Sequence, residues 1–399
     1  MGIKNTVLPG CETVSKEDMV MSRAIASMSA VLFVGAAIAT AGSYTEMGVN
    51  GYIGADWRHA NPLPPENGGD PDAIINPIFR GWATAYRDYL PSDDEWSADW
   101  DDPNKALGPA TGDNFDIVSL GDLNQDEIDQ SVPPGEITLI FTNPEDPNNI
   151  GDPNYAIRDM KGYDFVVFGN GFVSNYTTGA GSVEGEMFSA LGYVEVSSDG
   201  VHFARFAPVS LTPEPQGSQA YLTIEISDIY NFVGKHPNAY GLCVGTPFDL
   251  SEIADDPLVL SGDVDLDNIS YVRIVDIPGN GDWSDRAVEH IDPQTWPSWD
   301  YYTANNPIYD AWVTWGSGGL DLEAVGVLQE QEYEADINLD GVVDMSDFSL
   351  FGLAWLSHFG QEHWNGRCDL AEPRDKVVDI HDLLILAEQW LEREQWRTP

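Results

Sequence analysis

The sequence predicts a mainly β protein: a β-sandwich of jelly-roll type over residues 42–328, then a small helical domain over residues 336–396. Three observations lead there. Gly and Pro are frequent, 38 and 26 of 399 residues, as loop-rich β proteins require. Short runs of β-branched and aromatic residues, bounded by Gly, Pro, Asn and Asp, recur through the central segment. Near the C-terminus the pattern changes to acidic loops that lead into helical spacing. The length suits about two to three domains, and 11% aromatic residues supply a core, which excludes general disorder.

Charge narrows the partners. Asp and Glu number 66 against 18 Lys and Arg, a formal net charge of −48. A phosphate-binding surface needs the opposite balance, so nucleic acid is excluded as a partner. Anionic membrane surfaces are disfavoured for the same reason. The acid suits calcium, neutral glycans or plain solubility.

The N-terminus has the form of an export signal over residues 1–41. Arg23 precedes the apolar stretch Ala30–Ile38, and Ala39-Thr40-Ala41 supplies a small-x-small cleavage pattern. Met19 and Met21 are alternative starts, and the mature chain is expected near Gly42. The apolar run is short for a membrane span, and no other segment reaches spanning length. A secreted or cell-surface location follows. Cys243 and Cys368 lie far apart in the chain, which argues for two unpaired thiols rather than a disulfide framework.

In the central segment the expected strands are Ile137–Phe141, Asp164–Phe172, Gly192–Ser197, His202–Ala207, Ser270–Ile277 and Leu322–Leu328. Asp199-Gly200 supplies the positive φ of a hairpin between two of them. No helix of useful length is expected here. The loop Asp276–Asp285, with Asp310 further on, carries Asp276, Asp282 and Asp285 and could hold a cation or be plain solvated acid.

The C-terminal motif is more specific. Asp336, Asn338, Asp340, Gly341, Val342, Asp344 and Asp347 form a twelve-residue D-x-N-x-D-G-x-V-D-x-x-D loop. Ca2+ takes six to eight oxygens, and alternate side chains at positions 1, 3 and 5 point into one concave turn. Val342 would offer its carbonyl, Asp344 would act through water, and Asp347 would close the site from the next helix. Shifting the chain by 35 residues aligns Asp340 with Asp375, Val342 with Val377, Val343 with Val378, Asp344 with Asp379 and Asp347 with Asp382. Trp355 and Leu356 align with Trp390 and Leu391, so the unit is a tandem repeat. Helices are expected over Ser346–Phe359 and His381–Trp396, with the Trp residues in their shared core. The second ligand set is Asp375, Asp379 and Asp382. Ala371, Pro373 and Lys376 stand where Asp, Asn and Gly are expected, which weakens it. Asp369 and Glu372 are the acids that would substitute, in a loop two residues longer.

This tandem unit, about residues 333–396 after a linker at 329–335, resembles a type I dockerin. The resemblance implies Ca2+ as cofactor and a cohesin-like or envelope partner. Cohesin-gripping dockerins carry Ser/Thr at loop positions 10 and 11. Here Met345 and Ser346, then Ile380 and His381, occupy them, which departs from that pattern.

Further segments resemble a family of bacterial secreted cell surface proteins. Ala106–Pro109, Val118–Gly121, Glu136–Leu139, Tyr163–Phe172, Val194–Phe203, Tyr271–Asp276, Pro307–Asp310 and Gly318–Val327 carry the likeness, which spans about residues 100–328. It implies an exported sandwich of unassigned ligand. No H-E-x-x-H, nucleophile elbow or phosphate-cradling glycine loop is present. Three functions stay open: a non-catalytic surface protein associated with polysaccharide assemblies and binding glycan, a polysaccharide-acting hydrolase, and a purely structural envelope protein.

Overall fold

The computed structural model describes residues 44–53, 72–92, 99–177, 182–212, 223–239, 242–285, 306–314, 316–359, 361, 363–371 and 374–395. The expected export signal, residues 1–41, lies outside them. No helix among the described residues is long and apolar enough to cross a membrane.

The chain is mainly β and antiparallel. In chain order the strands of the two large sheets are β1 (Val49–Asn50), β2 (Phe79–Trp82), β3 (Ala85–Leu90), β4 (Val118–Ser119), β5 (Glu136–Ile140), β6 (Phe165–Gly169), β7 (Gly192–Ser197), β8 (Ala204–Arg205), β9 (Val244–Phe248), β10 (Tyr271–Asp276) and β11 (Asp321–Leu328). One sheet runs β1-β9-β6-β11-β2, with β4 also on β11. The other runs β8-β7-β10-β5-β3. The longest register joins β7 to β10, from Gly192 opposite Asp276 to Ser197 opposite Tyr271.

Alternation along each strand sends one set of side chains inward. Val194, Val196, Val272, Ile274, Ile137 and Leu139 of one sheet meet Phe165, Val167, Leu322, Val325 and Val327 of the other in a single cluster. Phe165 stacks on Phe248 at 5.3 Å between ring centroids. The reverse face of β6 and β11 is buried as well, where Val166, Phe168 and Ala324 pack with Val49, Tyr52 and Cys243. Burial on both faces explains why β6 reads as an unbroken apolar run rather than an alternating one, while β11, buried along its whole length, carries Asp321 and Glu323 at its start.

All six expected strands are present, Gly192–Ser197 with the expected bounds and the other five with shifted ends. The His202–Ala207 run shrinks to β8 because Asp199 Oδ1 accepts the Val201 and His202 N–H groups at 2.7 and 2.9 Å and prolongs the turn. Gly200 adopts the expected positive φ, 73°. Strands β1 and β4 are two residues long, too short to show a period, and Pro247 interrupts the apolar pattern of β9. The helices of the central segment, Gln125–Asp129 and Pro257–Ser261, are five residues each, in keeping with the expectation that no helix of useful length forms there. The first has a reciprocal cap between Asn124 and Glu127.

The C-terminal unit contains α1 (Met345–Ala354) and α2 (Ile380–Glu388), both shorter than their sequence spacing suggests. Each is soon followed by a left-handed residue, Leu356 (φ 63°) or Leu391 (φ 67°), which turns the chain away. Val343, Phe351, Ala354, Val378 and Leu386 form its core. Trp390 packs against this core, but Trp355 is 38% exposed and only flanks Phe351, so the expectation of two core tryptophans is corrected for Trp355.

The repeat has an internal two-fold exchange. Val342 bridges Arg393, and 35 residues on Val377 bridges His358. Leu391 N–H donates to Val343 C=O as Leu356 N–H donates to Val378 C=O, both at 2.9 Å. Each loop is therefore tied to the segment after the other loop's helix. The unit is also docked on the sandwich. Phe359 and Trp364 share an aromatic cluster with Tyr44 and Tyr230, and Arg367 lies 4.8 Å over the Tyr163 ring. Residues 329–335, expected as a linker, are pinned too: Gln329 N–H donates to Ile78 C=O, and Glu332 and Tyr333 donate to Glu394 Oε1.

One buried carboxyl in the sandwich sets a pH dependence. Asp164 is fully buried, and its oxygens accept from Met160 and Leu250 N–H at 2.8 and 2.7 Å. Burial, then the Asp249 charge, pushes it up to about 9. An unfolded Asp titrates near ~3.9, so the native chain binds a proton that the unfolded chain releases. That stabilisation is complete below about pH 4 and is lost as pH rises toward 9. At constant ionic strength, the thermal midpoint is expected to fall from pH 6 to pH 9. A flat differential-scanning profile over that range would contradict the assignment.

Candidate metal centre

The first loop is organised by backbone N–H groups that aim at its own carboxylates. Asp336 accepts from Asp340 N–H at 3.0 Å and Gly341 N–H at 2.7 Å. Asp347 accepts from Asn338 N–H at 3.1 Å and Asp344 N–H at 2.7 Å. Asn338 Oδ1 and Asp340 Oδ1 accept from Asp340 and Val342 N–H, both at 3.0 Å. Gly341 takes φ 82°, a conformation that glycine adopts without the Cβ penalty. Asp344 caps α1 through Ser346 N–H, and Asp347 returns to Asp344 N–H, so the helix start and the end of the loop are one structure. Val342, expected to offer its carbonyl, follows Gly341 and bridges Arg393.

Like charges crowd there. Asp336 and Asp347 are 1% and 0% exposed. Burial, reinforced by the Asp347 and Asp340 charges, raises Asp336 to about 8. Burial also raises Asp347, to about 6, against its two N–H donors. Arg367 is the nearby cation, but its Nη2 donates to the Asp336 backbone carbonyl at 2.7 Å rather than to the carboxylate. The donor set is all oxygen, the choice of a hard cation such as Ca2+.

The second loop repeats the scheme with one change. Asp375 Oδ1 accepts from Val377 N–H at 3.0 Å, as Asp340 does from Val342. Asp379 caps α2, and Asp382 accepts from Asp379 N–H at 2.7 Å. Lys376 has φ 65° in the place of Gly341. Position 1 is filled by Asp369, whose Oδ2 accepts from Lys376 N–H at 2.8 Å. The 35-residue offset points at Ala371, so the longer loop hides Asp369 from a simple alignment. Its Oδ1 is buried with no hydrogen-bond partner, an acceptor left for a cation. Burial, with Asp382 and Asp375 adding to it, raises Asp369 to about 7. Glu372 lies outside the described residues.

Elsewhere, Asp159, Asp164 and Asp249 bring three carboxylate oxygens within 4.8 Å of one another, a spacing the loop carboxylates do not reach among the described residues. The loops' fit to calcium therefore rests on their donor set and hydrogen-bond net. The triad already has partners: two N–H donors on Asp164, Ser251 N–H on Asp249 Oδ1, and Arg374 3.5 Å from Asp249 Oδ2. It reads as a seat for an arginine of the repeat.

Comparison with protein-family models, curated proteins and solved structures finds no match to this chain.

Proposed function

We propose that this chain is an exported, non-catalytic cell-surface protein with a jelly-roll-type sandwich, binding calcium through a dockerin-like tandem unit. The observation that carries this reading is the shared loop scheme. Two acidic loops, 35 residues apart, direct the same backbone N–H groups at the same carboxylates, each closed by an Asp at the first turn of a helix. Docking of the repeat on the sandwich favours anchoring or stabilising over a freely swinging adaptor. Ser346, Ile380 and His381 are exposed, so the partner-gripping positions remain accessible to an envelope or cohesin-like protein.

The outer face of the five-stranded sheet, where Tyr193 and Tyr271 are buried, supports a structural role over glycan stacking. Glu195 is ion-paired across strands to Arg205 and Arg273. The same arginines cover the Tyr193 and Phe203 rings at 4.0 Å, and Arg87 covers Tyr271 at 4.7 Å. Rings covered by guanidinium groups give a sugar no free platform.

Calorimetric titration of the full chain tests the calcium reading. Asp340→Ala is expected to weaken the tightest sites at least tenfold, because loop one loses a carboxylate and the Val342 turn. Asp375→Ala should cost less, since its loop already has Lys376 in place of glycine. Equal losses, or no calcium uptake in either loop, would overturn the proposal.

A further inference from the structure

One acidic group among the described residues brings three carboxylate oxygens within 4.8 Å of one another: Asp159, Asp164 and Asp249 of the sandwich. Asp164 and Asp249 flank the paired ends of β6 and β9, Phe165 and Phe248, so the sheet sets them side by side. The Asp276–Asp285 loop with Asp310 makes no such group among the described residues. Asp282 is exposed, and Asp285 accepts from Ser210 and Asn306 N–H at 2.9 and 2.6 Å.

The triad faces the second acidic loop. Arg374 Nη1 lies 3.5 Å from Asp249 Oδ2. Arg374 belongs to that loop, five residues after Asp369, the acid at its position 1. The first loop, residues 336–347, contains no Lys or Arg, whereas the second, residues 369–382, contains Arg374 and Lys376. A cation inside a loop built for a cation competes with it, because its own charge neutralises the same carboxylates. Asp369 Oδ1, buried without a hydrogen-bond partner, is the acceptor such a competitor would meet.

Both cations are held off the loop. Lys376 Nζ lies 5.7 Å over the ring of Phe359, which belongs to the aromatic cluster with Tyr44 and Tyr230. Arg374 is drawn to Asp249. A cavity of about 310 Å3 at the seam has Asp249, Asp369, Arg374 and Lys376 among its walls, which leaves the guanidinium room to swing between the two acids.

We propose that Asp249, with Asp159 beside it, is a positioning residue for calcium: it draws Arg374 out of the second loop and leaves Asp369 open to the ion. Docking on the sandwich and calcium uptake by loop two are then linked, each strengthening the other. The inference rests on the calcium reading of that loop.

Calorimetric titration of the full chain with calcium, at neutral pH, tests it. Asp249→Asn keeps the oxygen that accepts Ser251 N–H and removes the charge that holds Arg374. It is expected to weaken loop two about fivefold, the apparent affinity falling with the fraction of chains whose loop is open. Loop one should be unchanged, and Asp375→Ala marks which site is loop two. Arg374→Gln alone should bind at least as tightly as the parent. The double variant, Asp249→Asn with Arg374→Gln, should match Arg374→Gln, because the competitor is gone. A merely structural loss at Asp249 would not be rescued in this way. Asp159→Asn is the substitute if Asp249→Asn does not fold. Unchanged loop-two affinity in Asp249→Asn, a loss that persists in the double variant, or weaker binding by Arg374→Gln alone would each overturn the proposal. A parent chain that takes up no calcium overturns the loop reading as well. One that takes it up in loop two without regard to Asp249 overturns this inference alone.

Discussion

In excess chelator at pH 8, the C-terminal repeat is expected to lose its helices while the sandwich keeps its strands. The repeat has a small core, nine buried apolar residues, and a domain of this size needs a further source of stability. Its first loop holds Asp336, Asp340, Asp344 and Asp347 in one turn of chain, two of them fully buried. Asp347, raised to about 6, is ionised at pH 8, where Asp336, raised to about 8, is giving up its proton, and a close pair repels by roughly 1–4 kcal/mol between the water and protein-surface limits. Calcium reverses the sign of that term and couples binding to folding. Because Asp347 both closes the loop and caps α1, loss of the loop removes the start of the helix. The two-fold exchange then carries the damage across: loop one pairs with the chain after α2, and loop two with the chain after α1. The sandwich has its own larger core and should survive. Far-ultraviolet circular dichroism should lose helical signal, and limited proteolysis should cut within α1 and α2 while sparing β5, β6, β7 and β10 of the sandwich. Unchanged helicity and no new cleavage in chelator would make the loops ordinary turns.

Arg367→Ala is expected to be the most destabilising single substitution in the repeat, costing about 2–6 kcal/mol, roughly 1–3 for each of the two buried acceptors it strands. Arg367 is 8% exposed. Its Nη2 donates to Gln331 Oε1 at 2.8 Å and to Asp336 C=O at 2.7 Å. Its guanidinium lies over Tyr163 of the sandwich. One side chain thus joins the segment after β11, the first residue of the first acidic loop and the sandwich surface. Truncation strands two buried acceptors and empties the space above Tyr163. Lysine should not rescue the variant, because one ammonium cannot both stack as a plane and serve two acceptors in a fixed fork. Urea denaturation should show a separate early transition for the repeat, with weaker calcium binding. A single transition at the parent midpoint would refute the bridging role.

The two acidic loops, the 35-residue repeat, the Asp199-Gly200 hairpin and six of the sheet strands were legible in the sequence. Each depends on residues within about a dozen positions of one another: a side chain reaching the N–H two to five residues on, a glycine at a forced φ, or a period of two or 3.6. The second loop's departure from the pattern was readable too, since Lys376 and Ala371 stand where Gly and Asp are expected. Asp369, one of the two acids the sequence offered as a substitute, enters the second loop through a local contact, the Lys376 N–H seven residues on. What the tertiary structure decided lies across long separations. Asp122 meets Thr314 over 192 residues, and neither neighbourhood in the chain marks Asp122 as a buried carboxylate. Arg367 carries no motif at all, and its role comes from Tyr163, Gln331 and Asp336 converging on one guanidinium. Local hydrogen bonds and periodicity leave a trace in sequence because they repeat at fixed spacing. The burial of a charge leaves none, because it depends on which distant segments fold over it and on whether they bring a partner.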